Sequence, residues 1–132
     1  MTEKLTTTLK IDNWDENPTQ EHDDGTKLTR AVVTLTEGAD GLTSGHFESL
    51  MHYKTDGTAA YVTVMRVEAE LGGRSGAFTA VGEGTFDGTT ASGTMRIVEG
   101  TGDLAGITGT VESSSTQADY PNMPLVVEYD LG

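Results

Sequence analysis

Phe47-Glu48-Ser49-Leu50-Met51-His52-Tyr53-Lys54-Thr55-Asp56-Gly57-Thr58-Ala59-Ala60-Tyr61-Val62-Thr63-Val64-Met65 reads as two strands folded back on one another. Phe47, Ser49, Met51 and Tyr53 fall on one side of the first strand, with Glu48 and His52 on the other, the period of two that a half-buried strand requires. The loop length then sets the register. A two-residue loop would place Phe47 opposite Arg66. A three-residue loop with Gly57 left-handed instead pairs Phe47 with Met65, Met51 with Tyr61 and Tyr53 with Ala59. A slip of one residue carries a whole apolar face into water, so the longer loop is expected.

The same period extends in both directions. Met65, Val67, Ala69 and Leu71 oppose Arg66, Glu68 and Glu70, and residues 5 to 13 place Leu5, Thr7, Leu9 and Ile11 opposite Lys4, Thr6, Thr8, Lys10 and Asp12. Further runs near 27 to 37, 75 to 86, 89 to 98, 104 to 112 and 124 to 131 are separated mostly by Gly or Asp-Gly, and no helical stripe is sustained. Gly72-Gly73 supplies one hairpin and Asp87-Gly88 another, since a type I′ turn needs positive φ at both central positions. A two-residue Asp87-Gly88 loop pairs Phe86 with Thr89, Gly84 with Ala91, Gly82 with Gly93, Ala80 with Met95 and Phe78 with Ile97.

These runs predict a single all-β domain over residues 1–132, an eight-stranded antiparallel up-and-down barrel. The turns near 38 to 41, 72 to 74 and 99 to 103 fall at one end. The tips at 55 to 57 and 87 to 88 fall at the other, with long loops at 14 to 26 and 113 to 123. With an even number of antiparallel strands the first and last lie side by side, so hydrogen bonding closes the sheet. Eight strands enclose an interior that side chains fill or that holds one small ligand.

Composition narrows the function classes. The chain has 132 residues with 35% hydrophobic and only 6% aromatic content, so its core is built from aliphatic, Met and small side chains. The absence of Cys removes disulfides and thiolate chemistry, and no apolar run follows Met1-Thr2-Glu3-Lys4, so a soluble, cytoplasmic protein is expected. A formal charge of −13 repels polyanions, which argues against nucleic acid and acidic membrane as partners.

Lys10-Ile11-Asp12-Asn13-Trp14-Asp15-Glu16, Lys27-Leu28-Thr29-Arg30-Ala31, Leu50-Met51-His52-Tyr53, Leu71-Gly72-Gly73-Arg74-Ser75-Gly76 and Gly100-Thr101-Gly102-Asp103-Leu104-Ala105-Gly106 together resemble the bacterial family called domain of unknown function 3224. The likeness runs through nearly the whole chain. The resemblance implies a fold similar to the allene oxide cyclase and dirigent barrels, and brings with it no assigned activity.

The inward set is Phe47, Ser49, Met51, Tyr53, Tyr61, Thr63, Met65, Phe78, Phe86, Met95 and Tyr129. Gly82, Gly84, Ala91 and Gly93 add little volume to it, which leaves either a void on one side or glycines retained for strand coiling. Near the elaborated mouth, Asn13, Trp14, Asp15 and Glu16 approach Tyr53 and Tyr61. A poorly hydrated carboxylate there would have its pKa raised and serve as acid or base, with the phenols orienting a ligand oxygen. The alternative is a Trp14 plug with the carboxylates in water. Glu16, Tyr61 and Tyr53 are therefore the catalytic candidates. Asn13, Trp14, Phe47, Met51, Met65, Phe78, Phe86, Met95 and Tyr129 are the ligand-binding ones.

His46, Glu48 and His52 alternate along one strand, but the register puts them outside, with Arg66 opposite His46, which favours a surface ion-pair patch over a metal site. Glu48 is held as a reserve acid in case that strand faces the other way. No phosphate-cradling loop, nucleophile elbow or calcium loop is present, so neither metal nor cofactor is expected. Two readings share the interior: a cofactor-independent isomerase or cyclase acting on a small, largely apolar molecule, and a non-catalytic protein that binds one. A third is a self-associating structural barrel without ligand. Val62, Val64, Val98 and Val126 on the outward side make a homo-oligomer the expected assembly.

Overall fold

A computed structural model describes every residue except 1, 37, 39, 40 and 117. It contains eight strands: β1 (Glu3–Glu21), β2 (Lys27–Thr36), β3 (Leu42–Tyr53), β4 (Ala59–Leu71), β5 (Arg74–Phe86), β6 (Thr90–Gly102), β7 (Thr108–Thr116) and β8 (Asn122–Asp130). Each pairs antiparallel with the next, and β1 pairs with β8, which closes the ring in up-and-down order. The expected architecture holds, and no helix lies among the described residues.

The register around Gly57 is the one that apolar matching requires. Phe47 faces Met65, Met51 faces Tyr61 and Tyr53 faces Ala59, with Gly57 at φ +87°. The Gly72-Gly73 hairpin joins Leu71 to Arg74. At Asp87-Gly88 the pairing differs by two residues: Phe86 faces Ala91, Gly84 faces Gly93, Gly82 faces Met95 and Ala80 faces Ile97. Beyond a bulge, Phe78 faces Gly100. The Asp87 side chain is the cause. Its carboxylate accepts the amides of Thr89 at 2.9 Å and Thr90 at 2.8 Å, which moves the turn centre onto Gly88-Thr89. Since the shift is even, the same faces still meet.

The expected long loops are largely strand. Residues 14 to 21 continue β1 and pair with β2, while 113 to 116 belong to β7 and 122 to 123 to β8. The polar run Asp15-Glu16-Asn17 hides its strand character because only one of its faces meets other protein. The bottom turn expected at 99 to 103 lies at 103 to 107. Two residues of the turn expected at 38 to 41 fall outside the described residues.

β1 has an unusual place in the ring. Residues 3 to 10 pair with β8 and residues 10 to 21 pair with β2, so the strand passes from one neighbour to the other along its length. A bulge at Asp12, between the Ile11 and Asn13 pairs, sets the facing of the upper part of the strand. Trp14 then lies opposite Val33 and Glu16 opposite Ala31, both partners being fully buried. Trp14 and Glu16 therefore share the inner face.

The interior divides into two halves. Below, Leu9, Leu35, Leu42, Val67, Phe78, Leu104, Ile107 and Val127 are buried and pack as one cluster. Full burial of each large apolar side chain contributes about 1.5–3 kcal/mol, and the same cluster continues upward through Val33, Phe47, Met51, Met65 and Met95. Above, methionines, hydroxyls and glycines replace most of the branched aliphatics, Val33, opposite Trp14 and Phe47, being retained. On the outer wall, Leu50, Val62, Val64, Val81 and Val98 are exposed, with Leu50 opposite Val62 and Val64 opposite Val81; Val126 is half-buried. No helix among the described residues is long and apolar enough to cross a membrane.

Candidate functional site

The upper half of the barrel holds a cavity of about 90 Å³, lined by Ile11, Trp14, Phe47, Met51, Tyr61 and Met65 together with residues of β6, β7 and β8. Met95 and Met123 complete a set in which every methionine after Met1 reaches the cavity. Cross-strand parity produces this lining: β3 supplies Phe47, Ser49 and Met51, and β4 answers with Met65, Thr63 and Tyr61. Ser49 and Thr63 are buried and hydrogen-bond one another at 2.7 Å, which uses the proton of one hydroxyl and leaves the other a donor.

The glycines expected to leave a void are covered in part by Tyr61. A Cβ on Gly84 would fall 2.5 Å from both Cζ and the hydroxyl of Tyr61, and one on Gly93 would fall 3.2 Å from that hydroxyl. Tyr61 thus lies across the facing Gly84–Gly93 pair, as an aromatic commonly covers a strand glycine. At Gly82 the neighbouring backbone carbonyl of Thr94 closes the space instead. The cavity survives because Tyr61 leaves room beside β7, where Ser113 faces Gly93 and Ser115 faces Ala91.

Glu16 stands at the mouth. Its Oε2 accepts the Tyr53 hydroxyl at 2.7 Å and the Thr29 hydroxyl at 2.8 Å, while Oε1 accepts Trp14 Nε1 at 3.0 Å. Partial burial acts to raise its pKa, but these three hydrogen bonds and the charge of Lys27 outweigh burial and hold the carboxyl below its ordinary value. Tyr53 moves the opposite way, to about 12, through burial and through its bond to the carboxylate. Lys27 Nζ lies 4.9 Å from the centre of the Tyr53 ring, within cation–π range. Trp14 meets Phe47 edge-on with centroids 5.9 Å apart.

Tyr61 lies near this mouth but shares no hydrogen bond with Glu16. The expected trio of Glu16, Tyr53 and Tyr61 therefore separates into a bonded Glu16–Tyr53 pair and a distinct Tyr61. The carboxylate is moved down in pKa, where sequence reasoning expected it up, because donors surround it. Phe47, Met51, Met65, Met95 and Trp14 line the cavity as expected. Phe78 and Tyr129 are buried but belong to the packed core rather than the lining. Phe86 flanks a shallower depression outside Trp14, together with Tyr120, and Asn13 is exposed.

Glu48 is on the outer face, paired with Arg30, and His46 faces Arg66. The outward orientation derived from the register holds. Among the described residues no group of His, Cys, Asp and Glu is arranged to take a metal ion. Sequence reasoning missed Thr29, Ser113, Ser115 and Met123. The first needed the inward position of Glu16, and the other three lay in a segment read as loop. The alternation Val111-Ser113-Ser115 was the signal available.

Comparison with known proteins fixes the family. Residues 5–124 match the profile of the family described as protein of unknown function, DUF3224. The chain belongs to the DUF3224 family. A crystal structure of a DUF3224 protein with unknown function from Shewanella oneidensis MR-1 is similar, with 22% sequence identity and a TM-score of 0.70 over 97% of this chain and 98% of that one. At this identity the likeness speaks for the DUF3224 fold alone. No curated relative matches the chain.

Proposed function

We propose that this barrel binds a small, largely apolar molecule in its upper interior. The observation that carries the reading is the contrast between halves: the lower core is closed by branched aliphatics, while the upper half keeps a space of about 90 Å³ edged by methionines. Methionine is unbranched and polarizable, so it repacks around guests of differing shape. One outer depression shares Ile11, Trp14, Ala91 and Ser115 with the cavity and another shares Tyr61, Glu83, Gly93 and Ser113, so a guest passes either Trp14 or Tyr61.

Binding without turnover is favoured over a cofactor-independent isomerase or cyclase. An acid–base mechanism needs a titrating group poised near the working pH. Glu16 is instead held charged by three donors, and burial pushes Tyr61 up. The exposed run Leu50, Val62, Val64 and Val81 supports self-association as a further part of this reading. Sedimentation that gives only the 13.9 kDa chain at all concentrations would remove it.

The interior reading is tested with protein labelled at the methionine methyl carbons. Signals from Met51, Met65, Met95 and Met123 should shift on adding a guest such as cyclopentanone, and emission from the single tryptophan should change with the same midpoint. Four unmoved methyl signals across a panel of small hydrocarbons and ketones would reject the reading. Guest recovered unchanged after long incubation supports binding alone; product formation that disappears in Glu16→Gln would establish the enzyme instead.

A further inference from the structure

From the distribution of hydroxyls in the cavity we infer that its ligand is a compact neutral molecule bearing an acceptor oxygen, a small ketone, aldehyde or lactone, that Tyr61 holds by donating its phenolic proton. This rests on the interior-binding reading above and specifies what the interior recognises. Tyr61, Ser113 and Ser115 all line the cavity, Tyr61 and Ser113 also lining a surface groove beside Glu83 and Gly84, and none of the three hydroxyls has a side-chain hydrogen-bond partner among the described residues. They lie on one wall. Tyr61 crosses the Gly84–Gly93 pair, and Ser113 sits on the strand beyond, opposite Gly93. Phe47, Met51 and Met65 come from β3 and β4 and offer no donor, and the Ser49–Thr63 pair on the same strands spends one of its two protons internally.

A pocket of this kind is mostly apolar with a few convergent polar groups, which fix the orientation of a ligand. Charge is disfavoured in either sign. The one charged side chain in the lining is Glu83, which is exposed and belongs to the outer parity of β5, opposite Val62. A cation would be drawn to Glu16 at the mouth but would find no buried carboxylate to pair with further in, which is costly in an apolar space. An anion would meet a chain of net charge −13 with Glu16 ionised at the mouth. A neutral acceptor satisfies the donors present: burial raises the Tyr61 pKa, so the phenol stays protonated at neutral pH and donates.

The size follows from the volume. A dry cavity of roughly 150 Å³ takes benzene; one of about 90 Å³ is smaller, so a guest of about six heavy atoms enters only as the lining methionines repack and marks the upper bound of size. Cyclopentanone and methylenecyclopentane have the same shape and differ in the acceptor. Affinities of both are measured through the methionine methyl signals for the wild type, Tyr61→Phe and Ser113→Ala. Tyr61→Phe removes an oxygen without a protein partner, so the fold should be kept, and its spectrum without guest serves as the check.

The expected result is a ratio of ketone to hydrocarbon affinity that falls roughly fivefold or more in Tyr61→Phe, the worth of one hydrogen bond. A smaller fall is expected in Ser113→Ala. Hydrocarbon binding with no measurable ketone binding in the wild type would overturn the inference while leaving the interior reading intact. A ratio unchanged in Tyr61→Phe would overturn the assignment to Tyr61. Methyl signals that respond to neither compound would reject the interior reading itself.

Discussion

At the scale of single residues, Glu16 decides how the mouth behaves with pH. Its carboxyl is held below the ordinary value of 4.5, so the folded state favours the charged form. The stability this contributes is fully present above the unfolded value and is lost as pH falls through the folded one. Glu16→Gln should therefore lower stability at neutral pH by about 1 kcal/mol, as befits a weakened hydrogen-bond set, and the gap from wild type should close from about pH 5 downward. Urea midpoints of both proteins between pH 7 and pH 3 check this; a gap that is constant across the range would show that the bonds do not depend on charge. Asp24, Asp56 and Asp87 also have lowered pKa values, through bonds to the threonines of their own turns. Their effect is common to both proteins and cancels in the difference.

Among the elements, the hairpin tips explain how much was legible from sequence. The triplet Asp-Gly-Thr recurs at 24 to 26, 56 to 58 and 87 to 89, and in each the aspartate accepts from the threonine amide and hydroxyl. Such local bonds are what turn residues provide, so strand number, order and the β3–β4 register followed from pattern and turn chemistry. The even shift at Asp87 did not, because side-chain capping and a type I′ turn compete for the same residues. Nor did the upper part of β1, whose polar run masks its period. The candidate site was read in part: parity brought Phe47, Met51 and Met65 inward, but the donors around Glu16 come from separate strands that only the closed ring brings together. Two glycines should separate conformational from steric cost. Gly57 sits at φ +87° with no atom within 4 Å of an added Cβ, so Gly57→Ala should cost about 1–2 kcal/mol of left-handed strain. Gly84→Ala drives a methyl against both the Ser92 carbonyl and the Tyr61 ring and should cost about 1–3 kcal/mol by overpacking. It should also shift the Tyr61 ring signals, which Gly57→Ala should leave in place; identical spectra for the two variants would contradict the packing described.

For the whole molecule, charge and closure act against each other. A net charge of −13 on 132 residues repels itself most when the screening length is long, about 30 Å at 0.01 M salt against about 8 Å at 0.15 M. The melting temperature should rise with sodium chloride over that range, and a flat or falling response would mean that acidic groups are already balanced locally. Short stretches of β6, β7 and β8 pair on one side only, and β1 does so along nearly its whole length. Because that strand takes β8 as its partner for residues 3 to 10 and β2 for residues 10 to 21, it acts as a zipper with one row of teeth. Amide protons on β1 beyond Trp14 should exchange with deuterium ahead of those on β4, which is flanked on both sides throughout. Parting that seam would carry Trp14 and Glu16 away from the hollow together, while the aliphatic floor beneath stays shut.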